Sequence, residues 1–156
     1  MSPRLLVHSG HVFDPISGTA APADVAIDGE HIVEVAAGLD GDRALDATGH
    51  LVVPGFIDCH VHVTLDDVDT LRLIQAPFSL RFFQAARNLR LTLHAGVTTV
   101  RDAAGADLGV KHAVATGLVE GPDIRIAIGM LSPTGGHADE WMASGECVHA
   151  LWPPHP

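Results

Sequence analysis

Two histidines one residue apart, His60 and His62, close the run Pro54-Gly55-Phe56-Ile57-Asp58-Cys59-His60-Val61-His62. An extended strand projects residues i and i+2 to the same face, so this spacing predicts two imidazoles aimed at one spot. Neutral imidazoles placed in this way can each offer a ring nitrogen to a single divalent ion, at the roughly 2.0–2.1 Å that zinc prefers. Taken alone, a His-x-His pair is more simply two half-buried polar residues. The preceding Leu51-Val52-Val53-Pro54-Gly55-Phe56-Ile57 tips the balance toward metal, because an almost wholly apolar run is expected of a parallel strand covered on both faces. The histidines then arrive where such a strand emerges. Asp58 and Cys59 are read as pointing away from the metal face, Asp58 to hydrogen-bond at the strand end and Cys59 to serve as a small core residue.

Other polar residues are weaker candidates. Arg101 and Asp102 end a second apolar strand, where they either pair with each other or line a pocket. Asp139 and Glu140 are charged loop residues for which solvation is the simpler reading, a stray third ligand the alternative. Trp141 and Trp152 either cover a pocket or pack. His8, His11, His31 and His50 lie among turns, His94 and His112 in helices, and His149 and His155 in the tail; all are read as surface or boundary residues. Gly135-Gly136 lacks the lysine and following helix of a phosphate loop.

The elements that must position these residues follow from periodicity. Up to about residue 46 the pattern is short strands and turns: a strand over 5–8, a reversal at Asp14-Pro15-Ile16-Ser17-Gly18, and strands 25–27 and 32–35 flanking the hairpin signal Asp28-Gly29-Glu30-His31. This reads as a small antiparallel β module, 1–50. From residue 51 the rhythm becomes strand, helix, strand, helix, strand. A helix over 79–95 carries Phe82, Ala86, Leu89 and Leu93 on one face, with Ser79 to cap it and Gly96 to end it. A strand over 97–100 follows, then a helix over 108–116 capped by Asp107 and closed by Gly117, then a strand over 124–128. Residues 132–156 read as a long glycine- and proline-rich loop. Such alternation builds a parallel sheet, and 51–156 is expected to form about three βα units of an α/β fold.

Bulk properties narrow the partners. With 19 acidic against 9 basic side chains the formal charge is −10, the wrong sign for nucleic acid or anionic lipid. A small polar substrate suits it better. Cys59 and Cys147 lie far apart and form no metal-binding or disulfide pattern. The N-terminus has no apolar stretch of signal-peptide length, and no uncharged segment approaches the ~20 residues of a membrane helix. The expectation is a cytoplasmic protein.

A β module, a strand ending in Asp58-Cys59-His60-Val61-His62 and then βα units resembles the amidohydrolase superfamily. Asp46-Ala47-Thr48-Gly49 with Val53-Pro54-Gly55-Phe56-Ile57-Asp58-Cys59-His60-Val61-His62 is similar to that family's entry into its barrel, and Ala95-Gly96-Val97-Thr98-Thr99-Val100-Arg101-Asp102 to its second strand. Gly121-Pro122-Asp123-Ile124-Arg125 leading to Thr134-Gly135-Gly136-His137-Ala138-Asp139 resembles the imidazolonepropionase-like branch, which includes Xaa-Pro dipeptidases. The resemblance implies the N-terminal part of a (β/α)8 TIM barrel. It further implies a divalent metal, zinc by preference, at His60 and His62, and hydrolysis of an amide or dipeptide-like C–N bond by metal-activated water. For His137 it implies substrate contact, against the alternative of a plain loop histidine.

The bridging lysine and the general base of that family are expected beyond Pro156, because the sole lysine, Lys111, falls in the second helix. No catalytic residue is therefore assigned within this chain. The chain of 156 residues is shorter than the ~250 of a complete barrel. It reads as an N-terminal fragment inactive alone, whose full-length form takes a small-molecule substrate and forms a homo-oligomer. The alternative is a non-catalytic truncated homologue that at most binds a metal or a partner chain. An open three-stranded sheet is expected to fold poorly by itself.

Overall fold

Short β-rich runs separated by turn formers build the first sheet. The computed structural model describes residues 3–136 and 139, in two units that divide after Pro54. In the first unit β1 (Leu5–Asp14), β2 (Thr19–Asp28) and β3 (His31–Ala36) run antiparallel, with Asp28 paired to His31 across the expected hairpin. β1 is longer than the expected 5–8 because a bulge lets it change register. Pairing jumps from Val7 opposite Val25 to Gly10 opposite Ala23, and Ser9 takes φ 63°. The module is not purely antiparallel. β4 (Arg43–Asp46) and β5 (Leu51–Val52) both lie parallel against β1, on the edge away from β2. Leu6, Val25, Ala26 and Ala47 are its buried apolar residues.

The apolar run 51–57 is thus not one strand. Leu51 and Val52 pair with His11 and Val12 in the first sheet, and Pro54, with no N–H and a restricting effect on Val53, interrupts the ladder. Phe56 then opens β6 (Phe56–Val61) in the second unit. Nor is the start of β6 covered on both faces: Phe56 and Ile57 are 59% and 67% exposed.

The second unit is mixed α/β. β6 is followed by α1 (Thr70–Gln75), α2 (Leu80–His94), β7 (Val97–Asp102), α3 (Leu108–Ala115) and β8 (Asp123–Ile126), and the strands form a parallel sheet in the order β6-β7-β8. Val63, Ala85, Leu89, Val100, Ala106 and Ile124 lie at the centre of its core. α1 had no clear signal in the sequence. α2 occupies the expected span, and Gly96 ends it at φ 89°, a conformation glycine takes without steric cost. Ser79 precedes α2 but its hydroxyl caps nothing, because its own backbone is already helical. Asp107, with extended backbone, does cap α3: its carboxylate accepts the Val110 N–H at 2.9 Å. β8 stops at Ile126, short of the expected 128, because Ile128 turns to φ 66° and Gly129 N–H bonds back to the Ala127 carbonyl at 2.8 Å. Among the described residues no helix is long and apolar enough to cross a membrane.

Candidate metal centre

The histidine pair sits on an irregularity of β6. Asp58 pairs with Val100, and the next pair is Val61 with Asp102, so β6 takes three steps where β7 takes two. The extra residue leaves Cys59 and His60 outside the regular ladder, and bulges of this kind re-aim side chains. Their backbone groups find side-chain partners. The His60 N–H donates to Asp58 Oδ1 at 3.0 Å, and Arg101 Nε donates to the Cys59 carbonyl at 2.8 Å. Asp58 hydrogen-bonds at the strand end as expected, its carboxylate reaching the N–H two residues on. Arg101 and Asp102 form no ion pair, because Arg101 closes the bulge. Cys59 is exposed rather than a core residue, as are its neighbours Phe56, Ile57, Asp58 and His60 along β6.

The two imidazoles meet edge to face, ring centroids 5.2 Å apart and planes at 77°. His60 is exposed and His62 half-buried. His62 Nδ1 lies 3.1 Å from the Ala104 carbonyl oxygen. That oxygen can only accept, so Nδ1 is the donor, and in the neutral ring the lone pair sits on Nε2. A backbone carbonyl on the non-ligating nitrogen is how metal-binding histidines are commonly oriented. The donor set fits a divalent ion such as zinc as far as two ligands. Among the described residues no group of three His, Cys, Asp or Glu converges.

Asp102 lies beneath His62, fully buried. Its Oδ2 accepts the Val63 N–H at 2.8 Å and its Oδ1 the Ala106 N–H at 3.1 Å. Burial pushes its carboxyl above the usual range, opposed by the Val63, Ala106 and Ala104 N–H groups and by nearby His62. The Val63 carbonyl takes a hydrogen bond from Asn88 Nδ2 at 3.1 Å, so α2 also secures the residue after His62. Gly105 takes φ 106°, and a side chain there would run into the buried Thr64 hydroxyl.

Among the described residues the other candidates do not join the pair. His137, Glu140 and Trp141 lie outside the described residues. The Asp139 carboxylate accepts the Gly135 N–H within its own loop. Lys111 stands on α3, between β7 and β8. His94 pairs with Glu120 at 2.9 Å on the surface. An apolar cavity of about 150 Å³ between α2 and α3 is lined by Phe82, Ala86, Leu89, Val110, Ala113 and Val119 among others, none titratable. Sequence reasoning missed Asn88, and left Asp102 undecided. A polar residue on the inner side of an amphipathic helix was the available signal for Asn88.

Residues 51–152 match the Amidohydrolase family. A dihydroorotase of Streptococcus thermophilus (strain CNRZ 1066) is 48% identical over 60 residues, which make up 37% of this chain and 14% of that protein. A prolidase crystallised with N-methylphosphonate-L-proline superposes with a TM-score of 0.80 at 40% identity, over 88% of this chain and 35% of the other. A Xaa-Pro dipeptidase with methionine bound in its active site gives a TM-score of 0.76 at 28% identity, over 94% of this chain and 38% of the other. The chain thus spans little more than a third of these two solved relatives. A match over 51–152, well beyond half of the sequence, places the histidine pair and all three parallel strands within it: the chain belongs to the amidohydrolase family.

Proposed function

We propose that this chain is the opening part of a metal-dependent hydrolase that cleaves an amide or dipeptide-like C–N bond in the cytoplasm. In this reading residues 1–50 are half of a composite β-sandwich, and residues 51–156 are the first three βα units of a (β/α)8 barrel. His60 and His62 hold a divalent ion, zinc by their donor chemistry. The observation that carries the reading is the closeness of the two rings, centroids 5.2 Å apart, with His62 Nδ1 engaged by the Ala104 carbonyl so that in the neutral ring Nε2 is the free acceptor.

Bound there, a divalent ion would supply Lewis-acid chemistry, making water a far stronger acid and polarising a substrate carbonyl. The residues of this chain orient and support. The bulge, closed by Asp58 and Arg101, aims His60; Ala104 fixes the tautomer of His62; His137 contacts the substrate. Catalytic zinc normally has three protein ligands, so further donors come from outside the described residues. Likeness to a prolidase crystallised with a proline phosphonate favours Xaa-Pro dipeptides as the substrate class.

Elemental analysis of the purified chain after zinc loading and dialysis tests the metal assignment. His60→Ala and His62→Ala are each expected to lose most of the bound zinc; metal content equal to the parent chain refutes it. Release of free proline from Xaa-Pro dipeptides by the whole protein tests the substrate class, and hydrolysis confined to other amides refutes that part.

A further inference from the structure

The residues around His62 are tied at more points than a strand end requires. The Val61 carbonyl accepts the Ala103 N–H at 2.9 Å, and the Val63 N–H donates to Asp102 Oδ2 at 2.8 Å. The peptides on both sides of His62 are thus bonded to the stretch that leaves β7. That stretch turns at once, and its Ala104 carbonyl receives the His62 Nδ1 proton at 3.1 Å. What closes the turn is the Asp102 side chain again, whose Oδ1 accepts the Ala106 N–H at 3.1 Å. Its main-chain carbonyl meanwhile accepts the Ala127 N–H at 3.0 Å, bringing in the end of β8. One fully buried carboxylate therefore spans the residue after His62 and the far end of the arc 103–106. The Ala104 carbonyl is the middle of that arc.

We propose that Asp102 is a positioning residue for the metal centre: by bridging the Val63 and Ala106 N–H groups it holds the arc 103–106 so that the Ala104 carbonyl keeps the proton of His62 on Nδ1 and the lone pair on Nε2. The inference rests on the metal reading of His60 and His62 above. A carboxylate is the group this place requires, because two N–H donors reach two different oxygens and both need an acceptor. An amide in its place offers one oxygen and one NH2. One of the two backbone N–H groups would then face a donor and lie buried without a partner. The arc would open, Ala104 would withdraw, and the imidazole of His62 would distribute its proton over both nitrogens. His60 has separate supports in Asp58 and Arg101, so the loss is confined to one ligand.

The test uses the full chain, zinc alone as the probe, and proton–nitrogen NMR of the His62 ring. In the metal-free parent chain His62 is expected to carry its proton on Nδ1. Asp102→Asn is expected to give a mixed or Nε2-protonated ring and to weaken zinc binding about 10- to 100-fold, the usual range for a group that orients a ligand. Leu89→Ala, which opens a hole in the same core but removes none of the hydrogen bonds that hold the arc, is expected to leave the affinity of the folded chain unchanged. The proposal is overturned if Asp102→Asn binds zinc as the parent does, or if Leu89→Ala loses as much affinity. It is equally overturned if the parent His62 bears its proton on Nε2, a measurement that decides even where Asp102→Asn does not fold. Zinc retained by His62→Ala would instead overturn the metal reading itself. Zinc lost by His62→Ala but kept by Asp102→Asn overturns only the role of Asp102.

Discussion

Backbone N–H groups that leave a regular ladder need acceptors, and in this chain aspartates supply them repeatedly. Asp24 does so for the bulge of β1. Its carboxylate accepts the Ser9 N–H at 3.0 Å and the Gly38 and Leu39 N–H groups at 2.9 and 3.2 Å. These bonds, led by that of Ser9, hold its carboxyl below the ordinary value of 3.8. A depressed carboxyl pKa contributes stability that is present above the unfolded value and is lost as pH falls through the folded one. The difference in thermal midpoint between the parent and Asp24→Ala is therefore expected to be largest near neutrality and to shrink below about pH 4. A difference that stays constant down to about pH 2 would contradict this. Gly105 makes a second residue-scale prediction. With φ 106° and the Thr64 side chain in the way, Gly105→Ala is expected to cost roughly 1–3 kcal/mol. In urea this appears as a lower midpoint at unchanged slope.

At the scale of elements, the two helix starts of the second unit separate a cap that works from one that does not. Asp107 accepts the Val110 N–H, whereas Ser79 makes no side-chain cap bond. Asp107→Ala is expected to cost about 1 kcal/mol, and Ser79→Ala to stay within about 0.5 kcal/mol. Urea denaturation of the pair checks both, and equal losses would contradict the capping geometry. α2 is held by Ala85 and Leu89, each 1% exposed. Leu89→Ala is expected to cost about 2–5 kcal/mol, at the upper end if the cavity that Leu89 already borders enlarges rather than collapses. The bulge in β6 belongs to this scale too. It arises from the pairing of β6 with β7, and it turns a simple alternation into a strand end on which Asp58 and Arg101 act as side-chain partners for the backbone.

For the molecule as a whole, β6 and β8 each have one strand neighbour among the described residues, and Phe56, Ile57 and Phe83 are 59%, 67% and 74% exposed. Unpaired edges beside exposed apolar side chains are templates for association. In sedimentation or size-exclusion experiments the 156-residue chain is expected to self-associate as its concentration rises. A chain that stays monomeric as its concentration rises would contradict that expectation.

The sequence by itself determined the features that rest on local rules. The 3.6-residue stripe of α2, the Asp107 cap, the hairpin between β2 and β3 and the alternation of strands and helices after residue 51 are set by neighbours a few positions away. So is the nearness of His60 to His62. Tertiary structure alone decided what depends on partners far along the chain. Leu51 and Val52 joined the first sheet because β1 offered them an edge at His11 and Val12. The bulge at Cys59 and His60 needed the register of β7. Asp102 found its role from an N–H 39 positions away and another 4 positions away. A buried carboxylate answers to whichever donors the fold delivers, and no periodicity in the sequence encodes which those will be.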